Sequence, residues 1–172
     1  AEPALARDTL TYVMSTQQAG ASATPWRFPY ATTGVGSFSD VGIYDQRTDV
    51  YWLLPSSIGR YVGLTRDSAL LDRDVPYWPH ALAEVGDVVD HVTRGLDWAE
   101  ALGYGARGLV ALGTNDYADG VASLADERAT PAGTSSTYNA GFIVTGFPLA
   151  ADVIEARDLA LATRLRGIES GQ

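Results

Sequence analysis

Apolar residues recur at helical spacing along most of this chain. Leu5, Thr9, Val13 and Met14 mark a first helix over residues 3–18. Trp52, Leu53, Ile58, Tyr61 and Val62 mark a second over 49–65, where Pro55 is expected to bend the helix or end its first turns. A short helical turn is predicted at Ser68–Leu71, followed by a rigid extended connector, Val75-Pro76-Tyr77-Trp78-Pro79. The clearest helix is predicted over 81–102. Leu82, Val85, Val89, Val92, Leu96 and Ala99 fall three and four residues apart on one stripe, with Glu84, Asp87, Asp90, Arg94, Asp97 and Glu100 on the other faces. Gly103 fits a left-handed stop. A last helical region covers 138–167, with breaks expected near Pro148 and near Arg157-Asp158. No stretch alternates as a strand does, although Leu109–Leu112 has room to extend briefly. The predicted class is all-α. Neither an internal repeat nor a composition shift divides residues 1–172, so one domain is expected.

Between the helices lies irregular sequence of unusual length. Residues 20–46 are rich in Gly, Pro, Ser and Thr, interleaved with Trp26, Phe28, Tyr30, Phe38 and Tyr44. A loop of this length inside a domain is either functional or disordered, and its aromatic content favours packing or ligand contact. Those rings either anchor the loop on the core or form a stacking platform.

Composition removes several classes of function. An apolar share of 46% with 19% charged residues is that of a globular chain. All 12 basic residues are arginine and the net charge is -9, which argues against nucleic acid as a partner. No apolar run is long enough for a membrane span. The absence of cysteine excludes disulfides, thiolate catalysis and cysteine-ligated zinc. His80 and His91 stand eleven positions apart with no third ligand, so no metal site is expected. The opening Ala1-Glu2-Pro3-Ala4 is neither a methionine start nor a signal peptide, which suggests a processed or truncated product.

The chemistry concentrates in two places. Gly113-Thr114-Asn115-Asp116-Tyr117-Ala118-Asp119-Gly120 sets two carboxylates around a tyrosine between glycines. A carboxylate partly desolvated beside another has its pKa raised towards that of a general acid, and the ring can stack on a sugar or base face. Alternatively, the aspartates cap a helix or bind turn amides in a solvated loop. Asp49, after Arg47 and Thr48, opens the second helix. It or Thr48 caps that helix, or Asp49 accepts sugar hydroxyls with Arg47 nearby.

The order of five motifs resembles a known family. Phe28-Pro29-Tyr30-Ala31 with its glycine loop, Arg47-Thr48-Asp49-Val50-Tyr51-Trp52-Leu53, Tyr61-Val62-Gly63-Leu64-Thr65-Arg66-Asp67, Val75-Pro76-Tyr77-Trp78 and the Gly113–Gly120 stretch follow one another in this sequence. Together, over roughly residues 1–165, they resemble the catalytic barrel of the cellobiose phosphorylase family and related amylo-alpha-1,6-glucosidase-like glycosidases. The resemblance implies helical hairpins forming part of a six-hairpin (α/α) toroid, with a sugar site at one mouth. It implies glycosidic-bond cleavage with inversion, by hydrolysis or phosphorolysis, on an oligosaccharide or glycoside, with inorganic phosphate as the second reactant in the latter case. No cofactor is implied. Asp119 matches the general acid, Asp49 the carboxylate that holds the sugar, and Trp52 the tryptophan that follows it. Arg47, Asp116 and Tyr117 are the expected further substrate contacts.

The chain departs from the family pattern at named positions. Thr48 stands where the family has a first aspartate, Tyr117 and Ala118 where it has Trp and Asn, and Gly133-Thr134-Ser135 where it often has Gly-Glu-Ser. About five helices are counted where a toroid needs twelve, so the chain is expected to be part of a larger toroid completed by the same or another chain. An inverting enzyme also needs a second carboxylate to activate water, or a phosphate site, and no candidate base stands out. The alternative is a noncatalytic carbohydrate-binding module, or a helical scaffold module whose aspartates only cap helices.

Overall fold

The computed structural model describes residues 2–29, 48–105, 108–112 and 134–172. The described residues are mostly helical. Among the described residues, five α-helices run over Pro3–Ser15 (α1), Asp49–Thr65 (α2), Val88–Ala101 (α3), Thr137–Ile154 (α4) and Leu159–Ser170 (α5), with 3₁₀ turns at Ser68–Asp72 and His80–Leu82. Strands β1 (Val75–Pro76) and β2 (Val85–Gly86) form a two-residue antiparallel ladder with Val75 opposite Gly86.

Side-chain contacts set the directions of the helices. Ser56 Oγ donates to Phe142 O at 2.9 Å, and Gly59 meets Ala150, so α2 and α4 run parallel. At Gly59 an added Cβ would lie 2.5 Å from Ala150 N, which makes glycine the residue that permits this approach. Arg7, early in α1, pairs with Asp67 beyond the end of α2, so α1 runs opposite to α2. Asp87, at the start of α3, pairs with Arg157 beyond the end of α4, and Trp98 near the end of α3 stacks on Tyr51 near the start of α2. Helix α3 therefore also opposes the central pair, and α5 packs back along α4. The core lies between these layers, with Trp52, Ile58, Ile143, Phe147, Ile154 and Leu165 fully buried. None of the helices is long and apolar enough to cross a membrane among the described residues.

Helix α2 has the expected limits. It ends at Arg66, which adopts a left-handed conformation (φ 62°) and donates its N–H to Val62 O. Pro55 does not end the first turns of α2, since Asp49–Thr65 is continuous through it. Helix α4 likewise runs unbroken through Pro148, contrary to the expected break. A proline in a helix interior costs about 3 kcal/mol. The buried side chains of α4 beside it, Phe147, Ala150, Ala151 and Ile154, offset that cost at about 1.5–3 kcal/mol per large apolar group. The second expected break is present, between Ile154 and Leu159.

The helix expected over 81–102 begins only at Val88. Asp87 takes the N-cap position and its Oδ1 accepts from Asp90 N at 2.8 Å, a start signal that overrides the upstream periodicity. Val89, Val92, Leu96 and Ala99 are buried as expected, but Leu82 and Val85 lie outside the helix, 46% and 51% exposed. The first helix also stops early, at Ser15. Beyond it, Gln17 O accepts from Trp78 N and Ala19 N donates to Trp78 O, so residues 17–19 pair with the connector instead of continuing the helix.

Candidate functional site

The two central helices begin at the same end of the molecule. Thr48 occupies the N-cap position of α2, yet its side chain does not cap. Its hydroxyl accepts from Asn139 Nδ2 at 3.1 Å and lies 3.5 Å from Ala111 O. Asn139 is in the first turn of α4, where its own N–H donates to the capping Ser136 Oγ at 3.1 Å. Ser136 N in turn donates to Val110 O at 2.9 Å, and Leu112 N donates to Thr134 O at 3.0 Å. Thr48, Val110–Leu112 and Thr134–Asn139 thus form one hydrogen-bonded floor. Gln172, past the end of α5, pins its edge by accepting from Val110 N at 2.8 Å.

The near side of this floor is aromatic. Phe28 N donates to Tyr51 Oη at 2.9 Å, and the two rings meet edge to face at 5.2 Å. Tyr51 stacks on Trp98 at 4.6 Å, and burial pushes its phenol well above the usual range. Four described chain positions therefore gather around the first turns of α2 and α4: Phe28, Thr48, Leu112 and Thr134. Between them run residues 30–47 and 113–133, the two stretches in which most of the expected chemistry falls.

Of the expected site residues, Asp49 sits in the first turn of α2 and is buried, where the helix dipole favours a carboxylate. Trp52 lies one turn further along α2. It is 1% exposed and packs against Phe147 at 6.3 Å between ring centroids. That placement makes it a wall behind the first turn rather than an open stacking surface. Arg47, Asp116, Tyr117 and Asp119 lie outside the described residues. Of the loop aromatics, Trp26 packs edge-on against Tyr77 at 5.4 Å beneath Arg94, and Phe28 is buried on Tyr51. Both anchor the loop on the core, while Tyr30, Phe38 and Tyr44 lie outside the described residues.

Sequence reading missed the pairing of Thr48 with Asn139. The signal available for it was Ser136-Thr137-Tyr138-Asn139, a serine cap three residues before an asparagine at the head of an apolar run.

A second polar cluster lies deeper, at α3. His91 is fully buried, with Nδ1 2.7 Å from Gln17 Oε1 and Nε2 3.0 Å from Val75 O, and Tyr77 stacks on its ring at 3.9 Å. Burial lowers its pKa to about 4, offset in part by the Val75 carbonyl and Asp90. Tyr77 Oη donates to Asp90 Oδ2 at 3.0 Å, while Arg94 spans Asp90 and Glu84. This arrangement ties α1, β1 and α3 together, with each polar group held by a neighbour from another segment.

No family model matches the chain, and no curated protein matches it.

Proposed function

We propose that this chain carries the sugar site of a glycoside-cleaving enzyme, as part of a six-hairpin (α/α) toroid. One observation carries the reading. The first turns of α2 and α4 are tied by the Thr48–Asn139 hydrogen bond, and the described ends of the segments bearing Arg47 and the Asp116–Asp119 motif meet at that tie. The helix order supports the toroid: parallel α2 and α4 flanked by opposed α1, α3 and α5 is the arrangement of hairpins laid side by side.

In this reading Asp119 protonates the glycosidic oxygen while the C–O bond to the anomeric carbon breaks. Water or inorganic phosphate attacks that carbon from the opposite face and inverts it. Asp49 and Arg47 hold the sugar hydroxyls, Asp116 and Tyr117 line the same mouth, and Trp52 backs the wall. The nucleophile's base or phosphate site comes from the remainder of the toroid.

The test is turnover. The whole protein that contains this chain is incubated with a panel of disaccharides, with and without inorganic phosphate, and the first-formed anomer is read by proton NMR. Cleavage with inversion is expected. Sugar binding without cleavage would mark a noncatalytic carbohydrate-binding module, and neither binding nor cleavage would mark a scaffold.

A further inference from the structure

Gln17, His91 and Trp26 form a hydrogen-bonded chain that lacks one proton when the histidine is neutral. The side chains of Gln17 and His91 are both fully buried. His91 Nδ1 lies 2.7 Å from Gln17 Oε1, His91 Nε2 lies 3.0 Å from Val75 O, and Gln17 Nε2 donates to Trp26 O at 3.1 Å. Both ring nitrogens thus face oxygens that only accept. A neutral imidazole carries a single N–H, so one nitrogen presents its lone pair to an oxygen. Turning the Gln17 amide over moves this mismatch without removing it, because Oε1 would then face Trp26 O. All three contacts are complete together only when His91 carries both protons.

The surroundings keep the ring neutral near pH 7. Burial lowers its pKa to about 4. The charged groups around it divide: on α3, Asp87 and Asp90 favour the cation and Arg94 opposes it, while Glu84, ahead of β2, pairs with Arg94. Tyr77, stacked on the ring from the connector, is kept as the neutral phenol by burial and by Asp90.

Of the two oxygens facing the ring, Val75 O is fixed by the ladder that sets Val75 opposite Gly86. The Gln17 amide turns about its last torsion, which is broad and two-fold. A neutral ring therefore keeps its proton on Nε2 for Val75, and Gln17 turns to offer its own N–H to Nδ1. That withdraws from Trp26 O its one donor among the described residues. Trp26 is the strained end of the chain. It has φ 64°, a left-handed conformation rare for a bulky residue, at the third position of a turn closed by Arg27 N donating to Thr24 O at 3.4 Å. Pro25, at the second position, suits turns with either sign of φ at the third. Without the Gln17 donor, the turn is free to relax to the unstrained type.

We infer that His91 is a proton-operated latch: protonated, it lets Gln17 hold Trp26 O and lock the Thr24–Arg27 turn, and neutral, it draws Gln17 away and releases the turn. The latch acts on the chain leading to Phe28, on the aromatic side of the floor, and it is independent of what that site cleaves.

Nitrogen-15 imidazole NMR of the whole protein at pH 7 reads the tautomer, and hydrogen exchange between pH 6 and pH 3 reads the latch. The neutral ring is expected to carry its proton on Nε2; a proton on Nδ1 at pH 7 would overturn the inference. Corrected for intrinsic exchange, the amides of Trp26 and Arg27 should become about tenfold better protected one pH unit below the His91 midpoint. Over the same range amides in α4 should lose protection, because the low pKa of His91 weakens the fold in acid. Protection at Trp26 that falls in step with α4, or a rise that persists in Gln17→Met, would overturn the latch. If acid unfolds the protein first, the tautomer decides alone; if Gln17→Met does not fold, the two readings on the parent protein decide.

Discussion

The side-chain amide of Asn139 donates to the hydroxyl of Thr48 across 3.1 Å and so joins the first turns of two parallel helices. In the proposed glycosidase reading, residue 48 is where the family has an aspartate. Here a neutral hydroxyl spends its bonding on the neighbouring helix and leaves Asp49 as the acidic group of the first turn. The bond brings together elements 91 residues apart in sequence.

That tie sets the first prediction. Thr48→Val and Asn139→Ala should each cost about 1–3 kcal/mol, because each leaves a buried polar group short of its partner. The double variant should cost clearly less than the sum, since both changes remove one shared bond. Urea denaturation of the four proteins of the cycle checks it. Strict additivity would show that the contact contributes nothing in solution.

Two glycines of α2 should respond in opposite directions. Gly59→Ala places a methyl against the backbone of Ala150 and should destabilise by about 1–3 kcal/mol, the usual cost of overpacking. Gly63→Ala meets nothing within 4 Å and should stabilise by about 0.5–1 kcal/mol through helix propensity. Thermal melts of both variants, with the difference in sign as the readout, test how closely α2 and α4 approach.

His91 makes stability depend on pH. Its folded pKa of about 4 lies below the ordinary value of 6.5, so between these values the unfolded chain holds more protons than the native one. Stability from this group is complete above about pH 6.5 and falls as pH drops towards 4, by a total on the order of 3 kcal/mol. His91→Gln removes the titration. The stability difference between the parent protein and this variant should shrink across that interval, as measured by denaturation at each pH; a difference constant with pH would contradict the assignment.

The helical periodicity was legible where it coincided with a real start and stop. The limits of α2 and the stop at Gly103, which has φ +84°, could be read directly. Leu82 and Val85 misled because they continue the spacing of α3 by coincidence. The cap at Asp87 and the pairing of β2 with Val75 and Pro76 take that stretch out of the helix. Pro148 misled in the other direction, since local propensity forecasts a break that packing on α2 overrides. Of the expected site residues, Asp49 and Trp52 could be placed on the first turns of α2 from the sequence, but the burial of Trp52 depends on Phe147, 95 positions later, and so could not be read locally.

The same contrast gives a simple substitution test. Leu96→Ala removes a fully buried side chain and should cost about 2–5 kcal/mol, while Leu82→Gln, formerly on the same expected stripe, should stay within about 0.5 kcal/mol. Equal losses at the two positions would restore the longer helix.

The central proposal is that Asp119 gives a proton to a departing sugar oxygen. It is tested most directly by measuring the rate of Asp119→Asn, in the whole protein, on two substrates of one sugar: a natural glycoside and the corresponding glycosyl fluoride. Losing a general acid slows a reaction by about 10²–10⁴-fold when the leaving group needs the proton. The account predicts a loss of that size on the glycoside and a much smaller one on the fluoride. Equal slowing of both substrates, or of neither, would contradict it and leave the aspartates of that loop as structural groups.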